Sequence, residues 1–268
     1  MEIEKYTEGN RKAFNEANVF HNKAKGDYYK NKFLEKDFTA LDDLEKQIFQ
    51  KINVKGKKIA QLCCNNGREL ISIIKLGAKE GTGFDISDAA IADAKEFADI
   101  AKVNCDFICT DVYSIGEKYS NVFDIIYISA GSLNWLPNIE KFFKVINRLL
   151  KKGGRLFIYE IHPFSEVFAS SDNNKFDSNN PYKITKSYFD NSAQMQETGI
   201  DYIGKEKYKS ETNYWFTHTM SDIINGCIRN DIRITELKEY PFDVSAVLEH
   251  LQKDKLVPLS FSLLGIKE

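Results

Sequence analysis

The residues best suited to chemistry lie in a short turn and at an acidic side chain that follows it. Residues 59–78 have the pattern of an apolar strand that enters a turn and then a helix, and residues 81–87 (GTGFDIS) add a strand that ends at Asp85. Such a turn points backbone N–H groups and the positive end of a helix at a ligand. A carboxylate at the end of the next strand can accept hydrogen bonds from two ribose hydroxyls. Asp85 lies 18 positions after Gly67, close to the roughly 20 typical of nucleotide-binding βαβ units. The pattern therefore indicates a site for an adenosine-containing cofactor.

Two later segments add polar or small residues at strand ends. Residues 109–113 (CTDVY) contain Asp111, whose carboxylate suits the amino group of adenine, and the N–H of Val112 follows it. Residues 123–137 read as a strand that ends in Ser129, Ala130 and Gly131, and small residues allow the backbone to approach a ligand closely.

Four side chains are candidates for proton transfer. His162 and Glu160 end the fifth predicted strand, His218 follows an aromatic run, and His21 lies in the N-terminal segment. Histidine titrates near neutrality and can take a proton from a hydroxyl, thiol or ammonium group. A structural hydrogen bond is the alternative for each histidine. No metal site is expected, because Cys105 and Cys109 lack further ligands, and no base accompanies Cys63 or Cys64 to make a nucleophile.

The elements that would position these residues alternate along the chain. Short apolar strands and helices between Lys57 and Pro163 favour a parallel sheet with helices on both faces, and Ser87 is a candidate N-cap. Residues 1–50 read as helices, 164–181 as a loop, and 182–190 and 207–216 as an antiparallel strand pair. The remaining predicted strands cover residues 58–63, 80–85, 105–109, 122–129, 154–160, 231–240 and 260–267, and further helices cover 138–150, 219–230 and 244–252.

Composition limits the classes of function. The 268 residues are 43% hydrophobic and 28% charged, with a formal net charge of −2 and no basic stripe, so nucleic acid is not expected as a partner. The N-terminus is polar and no apolar run approaches the roughly 18 residues of a membrane span; we expect no membrane partner and a cytoplasmic location. Five cysteines form no paired framework, which is typical of reduced thiols.

The whole pattern resembles the class I S-adenosylmethionine-dependent methyltransferases, over roughly residues 57–163 with the C-terminal strands in support. The segment RLLKKGGRLFIYE (148–160) matches the helix, glycine turn and fifth strand of that family. An N-terminal cap, Tyr214, Trp215 and His218 in a Y-W-x-x-H element, and an E-x-H-P ending to the fifth strand resemble an uncharacterised bacterial branch that acts on small molecules. The first turn departs from the family, since Gln61, Cys63 and Asn65 stand where an acidic residue and glycines are usual.

The resemblance implies an α/β fold: a Rossmann-like seven-stranded, mostly parallel sheet with helices on both faces and an antiparallel last strand. It divides the chain into a helical cap over the cofactor site (1–50) and a methyltransferase domain (51–268). The domain has a substrate-side insertion (164–216) that contains the antiparallel strand pair. We expect four residues of the cap to close over the cofactor, with Arg11 meeting its carboxylate: Tyr6, Asn10, Arg11 and Phe14.

The implied cofactor is S-adenosyl-L-methionine, which leaves as S-adenosyl-L-homocysteine. Its amino-acid moiety is predicted to contact Cys63, Cys64, Asn65 and Gly67. Its ribose and adenine are predicted to contact Asp85 and Ile86, and the adenine also Asp111 and Val112. Its sulfonium is predicted to lie above Ser129, Ala130 and Gly131. The acceptor is expected to be a small molecule, and the protein a monomer or homodimer. Two alternatives stay open: a non-catalytic protein that binds this cofactor, and an NAD-dependent oxidoreductase, which the missing glycine fingerprint disfavours.

Overall fold

A seven-stranded sheet forms the centre of the computed structural model, which describes residues 2–268. The strands are β1 Lys58–Leu62, β2 Glu80–Asp85, β3 Cys105–Cys109, β4 Phe123–Ile128, β5 Leu150–Ile161, β6 Gln194–Thr198, β7 Lys209–Trp215, β8 Ile232–Tyr240 and β9 Ser260–Lys267. The helices are α1 Glu2–Lys25, α2 Tyr28–Leu34, α3 Asp43–Lys51, α4 Arg68–Lys75, α5 Asp88–Ala101, α6 Ile139–Leu149, α7 Met220–Ile228 and α8 Glu249–Gln252.

The sheet has the order β3-β2-β1-β4-β5-β9-β8. The first five of these strands pair in parallel, and β9 pairs antiparallel with both β5 and β8. The order reverses between β1 and β4, and in doubly wound sheets ligands bind beyond the carboxyl ends of the strands at such a point. The predicted seven-stranded sheet with an antiparallel last strand is therefore confirmed.

Helices cover both faces of the sheet because its inner strands are apolar on both sides. Along β4, Ile126 packs in one core with Phe142 of α6, whereas Tyr127 packs in the opposite core with Phe49 of α3 and Phe157 of β5. Successive side chains of a strand point to opposite faces, so a fully buried strand reads as an unbroken apolar run.

Helix starts follow local capping chemistry. The Ser87 hydroxyl accepts a hydrogen bond from the Ala90 N–H, which confirms Ser87 as the N-cap of α5. The Asn138 side chain caps α6 in the same way through the Lys141 N–H. These caps fix where each helix leaves the edge of the sheet that carries the site.

The insertion differs from the prediction. Residues 182–190 form no strand, and the partner of β7 is instead β6, at 194–198. Side chains and isolated backbone contacts hold the 182–190 segment: the Thr185 N–H donates to the Val167 carbonyl (2.8 Å) and the Tyr188 hydroxyl accepts from the Met220 N–H (2.8 Å). Strand β6 escaped notice because QMQET is polar and almost wholly exposed, so it has no apolar alternation.

Two other boundaries are corrected. The helix predicted over 244–252 is reduced to α8, because the Asp243 carboxylate accepts the N–H groups of Ser245 and Leu248 and holds that stretch as a turn. Strand β5 begins at Leu150 rather than 154, with Gly153 in a left-handed conformation (φ 73°) where the pairing with β4 shifts register.

Helix α1 lies across the carboxyl edge of the sheet and is fixed to β7. The Asn10 side chain donates to the Tyr214 carbonyl (3.0 Å) and accepts from the Tyr214 N–H (2.7 Å), so it pairs with the strand as a neighbouring backbone would. A Cβ at Gly9 would lie 2.7 Å from the Thr212 carbonyl oxygen, so glycine permits this close approach. Among residues 2–268, no helix is long and apolar enough to cross a membrane.

Candidate functional site

A cavity of about 910 Å³ lies beyond the carboxyl ends of β1, β2 and β4, between the sheet, α1 and the insertion. Nine of the eleven predicted cofactor-binding residues line it: Cys63, Asn65, Asp85, Ile86, Asp111, Val112, Ser129, Ala130 and Gly131. The volume is typical of a small-molecule site, and the lining combines apolar walls with many polar side chains.

The first turn uses three left-handed residues in alternation. Cys63 has φ 55°, Asn65 has φ 47° and Gly67 has φ 69°. A Cβ at Gly67 would lie 2.3 Å from the Phe107 ring, so packing as well as backbone conformation requires glycine there. Asn tolerates this conformation through local hydrogen bonding, and the Asn65 side-chain oxygen accepts from the Asn66 N–H (2.7 Å). The turn keeps its shape although only one of the three residues is glycine.

Two residues of this turn lie outside the cavity lining. Gly67 is the N-cap of α4, and Cys64 is buried in the core with 1% exposure. Burial raises the pKa of the Cys63 and Cys64 thiols well above the ordinary value. Both sulfurs are therefore protonated at neutral pH, which makes them poor nucleophiles.

Asp85 joins the first turn to the start of α5. Its Oδ2 accepts from the Asn65 N–H (2.7 Å) and its Oδ1 from the Ser87 N–H (2.9 Å). Burial raises its pKa, and these N–H groups act in the opposite direction. A carboxylate has about four acceptor positions, so Asp85 retains acceptor capacity for a ligand hydroxyl.

Asp111 and Val112 form the neighbouring part of the lining. The Asp111 Oδ1 accepts from the Tyr113 N–H (2.9 Å) and caps a short 3-10 turn at 112–114. The Val112 side chain is buried against the core. Asp111 thus has a fixed orientation with its Oδ2 lacking a hydrogen-bond partner within the described chain, and it can accept from an amino group.

Glu160 positions the Ser129–Gly131 segment from beneath. It does not line the cavity; its carboxylate accepts from the N–H groups of Gly131, Ser132 and Leu133, and from its neighbour Ile161. Burial raises its pKa to about 7, against these backbone donors. A Cβ at Gly131 would meet no atom within 4 Å, so the backbone here faces open space that a ligand can occupy.

The three candidate histidines have different places. His21 lines the cavity, with its Nε2 3.2 Å from the Ile200 carbonyl oxygen and 3.5 Å from the Asp201 Oδ1. His162 lies outside the lining, between the Glu239 carboxylate (2.8 Å) and the Phe164 N–H (3.1 Å). His218 also lies outside it, with its Nε2 2.8 Å from the Leu136 carbonyl oxygen. Burial lowers the pKa of all three.

Basic side chains gather beside the first turn. Lys25 at the end of α1 donates to the Tyr29 hydroxyl (3.2 Å), and Arg68 donates to the same hydroxyl (2.9 Å) and to Glu69. Burial, with a contribution from Arg68, lowers the pKa of Lys25 to about 8. Arg11, the predicted partner of the cofactor carboxylate, instead pairs with Glu8 and Asp88 on the exposed surface.

The half of the cavity away from the first turn contains an aromatic wall and a polar pair, Glu166 and Lys186. The sequence pattern did not predict this pair. Phe14 meets Trp135 edge to face (4.7 Å between ring centroids), and Trp135 meets Trp215 (4.8 Å). The Trp215 Nε1 donates to the Glu166 Oε2 (3.0 Å), and Lys186 donates to the same oxygen (3.1 Å). No motif connects Glu166 with Lys186, because they meet only through the fold.

These residues fit an adenosine-containing cofactor. Asp85 and Asp111 both present carboxylates with open acceptor positions, and the backbone at Gly131 faces open space. Within residues 2–268, no group of three or more His, Cys, Asp or Glu side chains is arranged to hold a metal ion.

Comparisons with known proteins find methyltransferases. A family model described as a methyltransferase domain matches residues 53–218. The ubiquinone biosynthesis O-methyltransferase of Coxiella burnetii is 33% identical over 117 residues, 44% of this chain and 49% of that protein. The sterol 4-C-methyltransferase strm-1 of Caenorhabditis elegans is 29% identical over 125 residues, 46% of this chain and 36% of that protein. The chain thus spans about half the length of the curated relatives it matches, or less.

Solved structures share the fold at low sequence identity. An S-adenosylmethionine-dependent methyltransferase from Mesorhizobium loti has a TM-score of 0.59 and 19% identity, covering 83% of this chain and 97% of that one. The geranyl diphosphate C-methyltransferase of Streptomyces coelicolor, solved with S-adenosyl-L-homocysteine, has a TM-score of 0.55 and 9% identity, covering 84% and 79%. With the family model matching residues 53–218, the chain belongs to the methyltransferase domain family.

Proposed function

We propose that this methyltransferase acts on a small molecule with an apolar, aromatic part, which binds in the same cavity as the cofactor. One observation carries the proposal: a single cavity is lined both by the predicted cofactor-binding residues and by Trp135 and Trp215. The two halves are continuous, so donor and acceptor can be aligned for direct transfer.

The cofactor would be held by groups of known orientation. Asp85 would accept from the ribose hydroxyls, Asp111 and the Val112 N–H would meet adenine, and the first turn would hold the amino-acid end. When bound, the cofactor supplies a sulfonium-linked, electrophilic methyl group. The chain's part is to orient the acceptor and to exclude water.

Lys25 and Arg68 are the proposed partners of the cofactor's carboxylate. Both lie beside the first turn, and Arg68 opens α4, whose N-terminal end favours an anion. Arg68 is also fixed by Glu69 and Tyr29, so its position needs little ordering when the ligand arrives.

The acceptor would lie against the aromatic residues. Phe14, Trp135 and Trp215 contact one another in sequence, and aromatic faces near a sulfonium are favourable through cation–π attraction. The Coxiella relative is named as an O-methyltransferase, which supports a hydroxyl acceptor. The small Ser129–Gly131 segment would leave room for the reacting atoms.

The four candidates for proton transfer divide by position. His21 lines the cavity, and its neutral form could accept a proton there. We assign Glu160, His162 and His218 positioning roles, since their polar atoms bind the backbone or Glu239. Helix α1 and the insertion would together cap the cavity, because Asn10 joins them.

The test is methyl transfer from radiolabelled S-adenosylmethionine to a cell extract that is afterwards separated by size. We expect label in the low-mass, organic-soluble fraction with the wild-type protein and none with Asp85→Asn. Label that stays with protein or nucleic acid would contradict a small-molecule acceptor. Boiled wild-type protein gives the background.

A further inference from the structure

Glu166 is a largely buried carboxylate of the cavity that the proposed cofactor site does not use. It lies on the 3-10 turn Pro163–Val167 directly after β5, and its side chain is 14% exposed. It faces the same cavity as Trp135 and Trp215. A charged group in such a place requires partners or a ligand.

Only one of its two carboxylate oxygens is occupied. The Oε2 accepts from the Trp215 Nε1 (3.0 Å) and from the Lys186 ammonium (3.1 Å), whereas the Oε1 has no hydrogen-bond partner within residues 2–268. Lys186 also donates to the Thr217 hydroxyl (3.3 Å). The carboxylate is thus fixed from one side and has free acceptor positions on the other.

The backbone around this pair explains its orientation. The Thr185 N–H and hydroxyl both bind the Val167 carbonyl oxygen (2.8 and 3.1 Å). This contact holds the residue before Lys186 against the end of the turn that carries Glu166. The segment 182–190 therefore serves to bring an ammonium to Glu166 rather than to extend a sheet.

The charges determine the kind of group that fits. The Lys186 ammonium compensates the Glu166 carboxylate, so a second cation would have to be desolvated without a free counter-charge, which is costly. A neutral hydroxyl needs only an acceptor. The adjoining wall is aromatic, with the Trp215 ring itself tied to Glu166 through its N–H.

We propose that Glu166 is a specificity-determining residue that accepts a hydrogen bond from the hydroxyl group of an uncharged phenol or other aromatic alcohol. Lys186 and Trp215 are its positioning residues. This inference rests on the proposed function, and it names the acceptor class of that same cavity. A site built to bind a hydroxyl discriminates strongly against the analogue that lacks it.

The test is calorimetric binding to protein saturated with S-adenosyl-L-homocysteine, so that no methyl transfer occurs. The probes are matched pairs: phenol and anisole, catechol and veratrole, benzyl alcohol and benzyl methyl ether. Quenching of tryptophan fluorescence gives a second readout, because the chain has 2 tryptophans and both line the cavity.

We expect at least one hydroxyl compound to bind about tenfold or more tightly than its ether, as a hydrogen bond to a charged group implies. Glu166→Gln should remove most of that difference without weakening S-adenosyl-L-homocysteine. The matched control is Glu197→Gln, an exposed glutamate of β6 that lies 4.0 Å from Lys209; it should retain the difference.

Three results would overturn the inference: equal binding of alcohols and ethers, no binding by any pair, or full discrimination in a folded Glu166→Gln variant. The comparison of alcohols with ethers on wild-type protein needs no variant to fold. Failure of S-adenosyl-L-homocysteine itself to bind would instead contradict the proposed cofactor site, so the two failures are distinguishable.

Discussion

The first turn shows how residues other than glycine can adopt a backbone conformation that glycine usually provides. Cys63 and Asn65 adopt left-handed conformations that favour glycine, and Asp85 binds the Asn65 N–H. A left-handed residue with a Cβ costs roughly 1–2 kcal/mol. The hydrogen bonds of Asn65 offset part of that cost, whereas Gly67 has no alternative because Phe107 fills the space beside it.

Replacement of Gly67 by alanine should therefore be more harmful than the same change at a comparable glycine. Gly56 has a similar φ (71°) but open space around it. We expect Gly56→Ala to lower the free energy of unfolding by about 1 kcal/mol and Gly67→Ala by about 3 kcal/mol, because overpacking adds to the strain. Denaturant titration of both variants measures this; equal losses would show that the Phe107 contact is unimportant.

We expect Lys25 to make cofactor binding depend on pH. Its pKa is lowered to about 8 by burial, so above pH 8 the free protein loses the ammonium that would meet the cofactor's carboxylate. Binding that needs this proton should weaken by up to about tenfold per pH unit above pH 8. The amino group of the cofactor titrates in the same pH range. The effect of Lys25 is therefore measured by comparing the pH profiles of wild type and variant.

Calorimetry of S-adenosyl-L-homocysteine from pH 7 to 10 separates these contributions. Lys25→Met should bind more weakly at pH 7 and show a shallower decline with pH than wild type. Lys23→Met, which changes an exposed lysine of the same helix, should match the wild type throughout. Parallel profiles for wild type and Lys25→Met would contradict the assignment.

At the scale of elements, β5 begins four residues earlier than predicted, but the other four parallel strands were predictable within one residue. Strands β1 and β4 were the clearest, because they are almost wholly buried and mostly apolar. Strand β6 was not predictable, since its residues are polar and exposed. Residues 182–190 have a strand-like composition, but they form no strand, and Lys186 among them contacts Glu166. Strand ends were enough to predict that Asp85 and Asp111 lie at the same edge of the sheet, where both line the cavity. A lone glutamate such as Glu166 has no local signal, because its partners are distant in sequence.

Strand β5 is expected to control the cofactor site through Glu160. Glutamine at this position would turn an amide N–H₂ toward backbone donors that now meet a carboxylate. We expect Glu160→Gln to lower the affinity for S-adenosyl-L-homocysteine at least about tenfold and the stability by about 2 kcal/mol.

Asp124 provides the matched control for Glu160. Its carboxylate also binds a backbone N–H, that of Lys58 (2.9 Å), and the Lys151 ammonium (2.9 Å), but at the amino end of the sheet. Asp124→Asn should reduce stability and leave cofactor affinity unchanged. The positioning role of Glu160 would be refuted by unchanged affinity in a folded Glu160→Gln variant.

In the whole molecule, the cavity is assembled mainly from three parts that are separate in sequence: α1, the carboxyl edge of the sheet, and the insertion. Asn10 ties the first to the third, and Tyr202 of the insertion approaches Asn65 of the first turn, with 3.5 Å between hydroxyl and side-chain nitrogen. The sequence indicated these parts one by one. Their arrangement around a common cavity depends on tertiary contacts that no local pattern encodes.

The central claim is that this cavity binds the methyl donor through Asp85. Calorimetric titration with S-adenosylmethionine, S-adenosyl-L-homocysteine and NAD, on wild type and Asp85→Ala, tests it most directly. We predict that the first two bind wild type and that Asp85→Ala binds them at least about a hundredfold more weakly, because two charge-assisted hydrogen bonds are lost. Binding of NAD alone, or equal affinity of the folded variant for both compounds, would contradict the account.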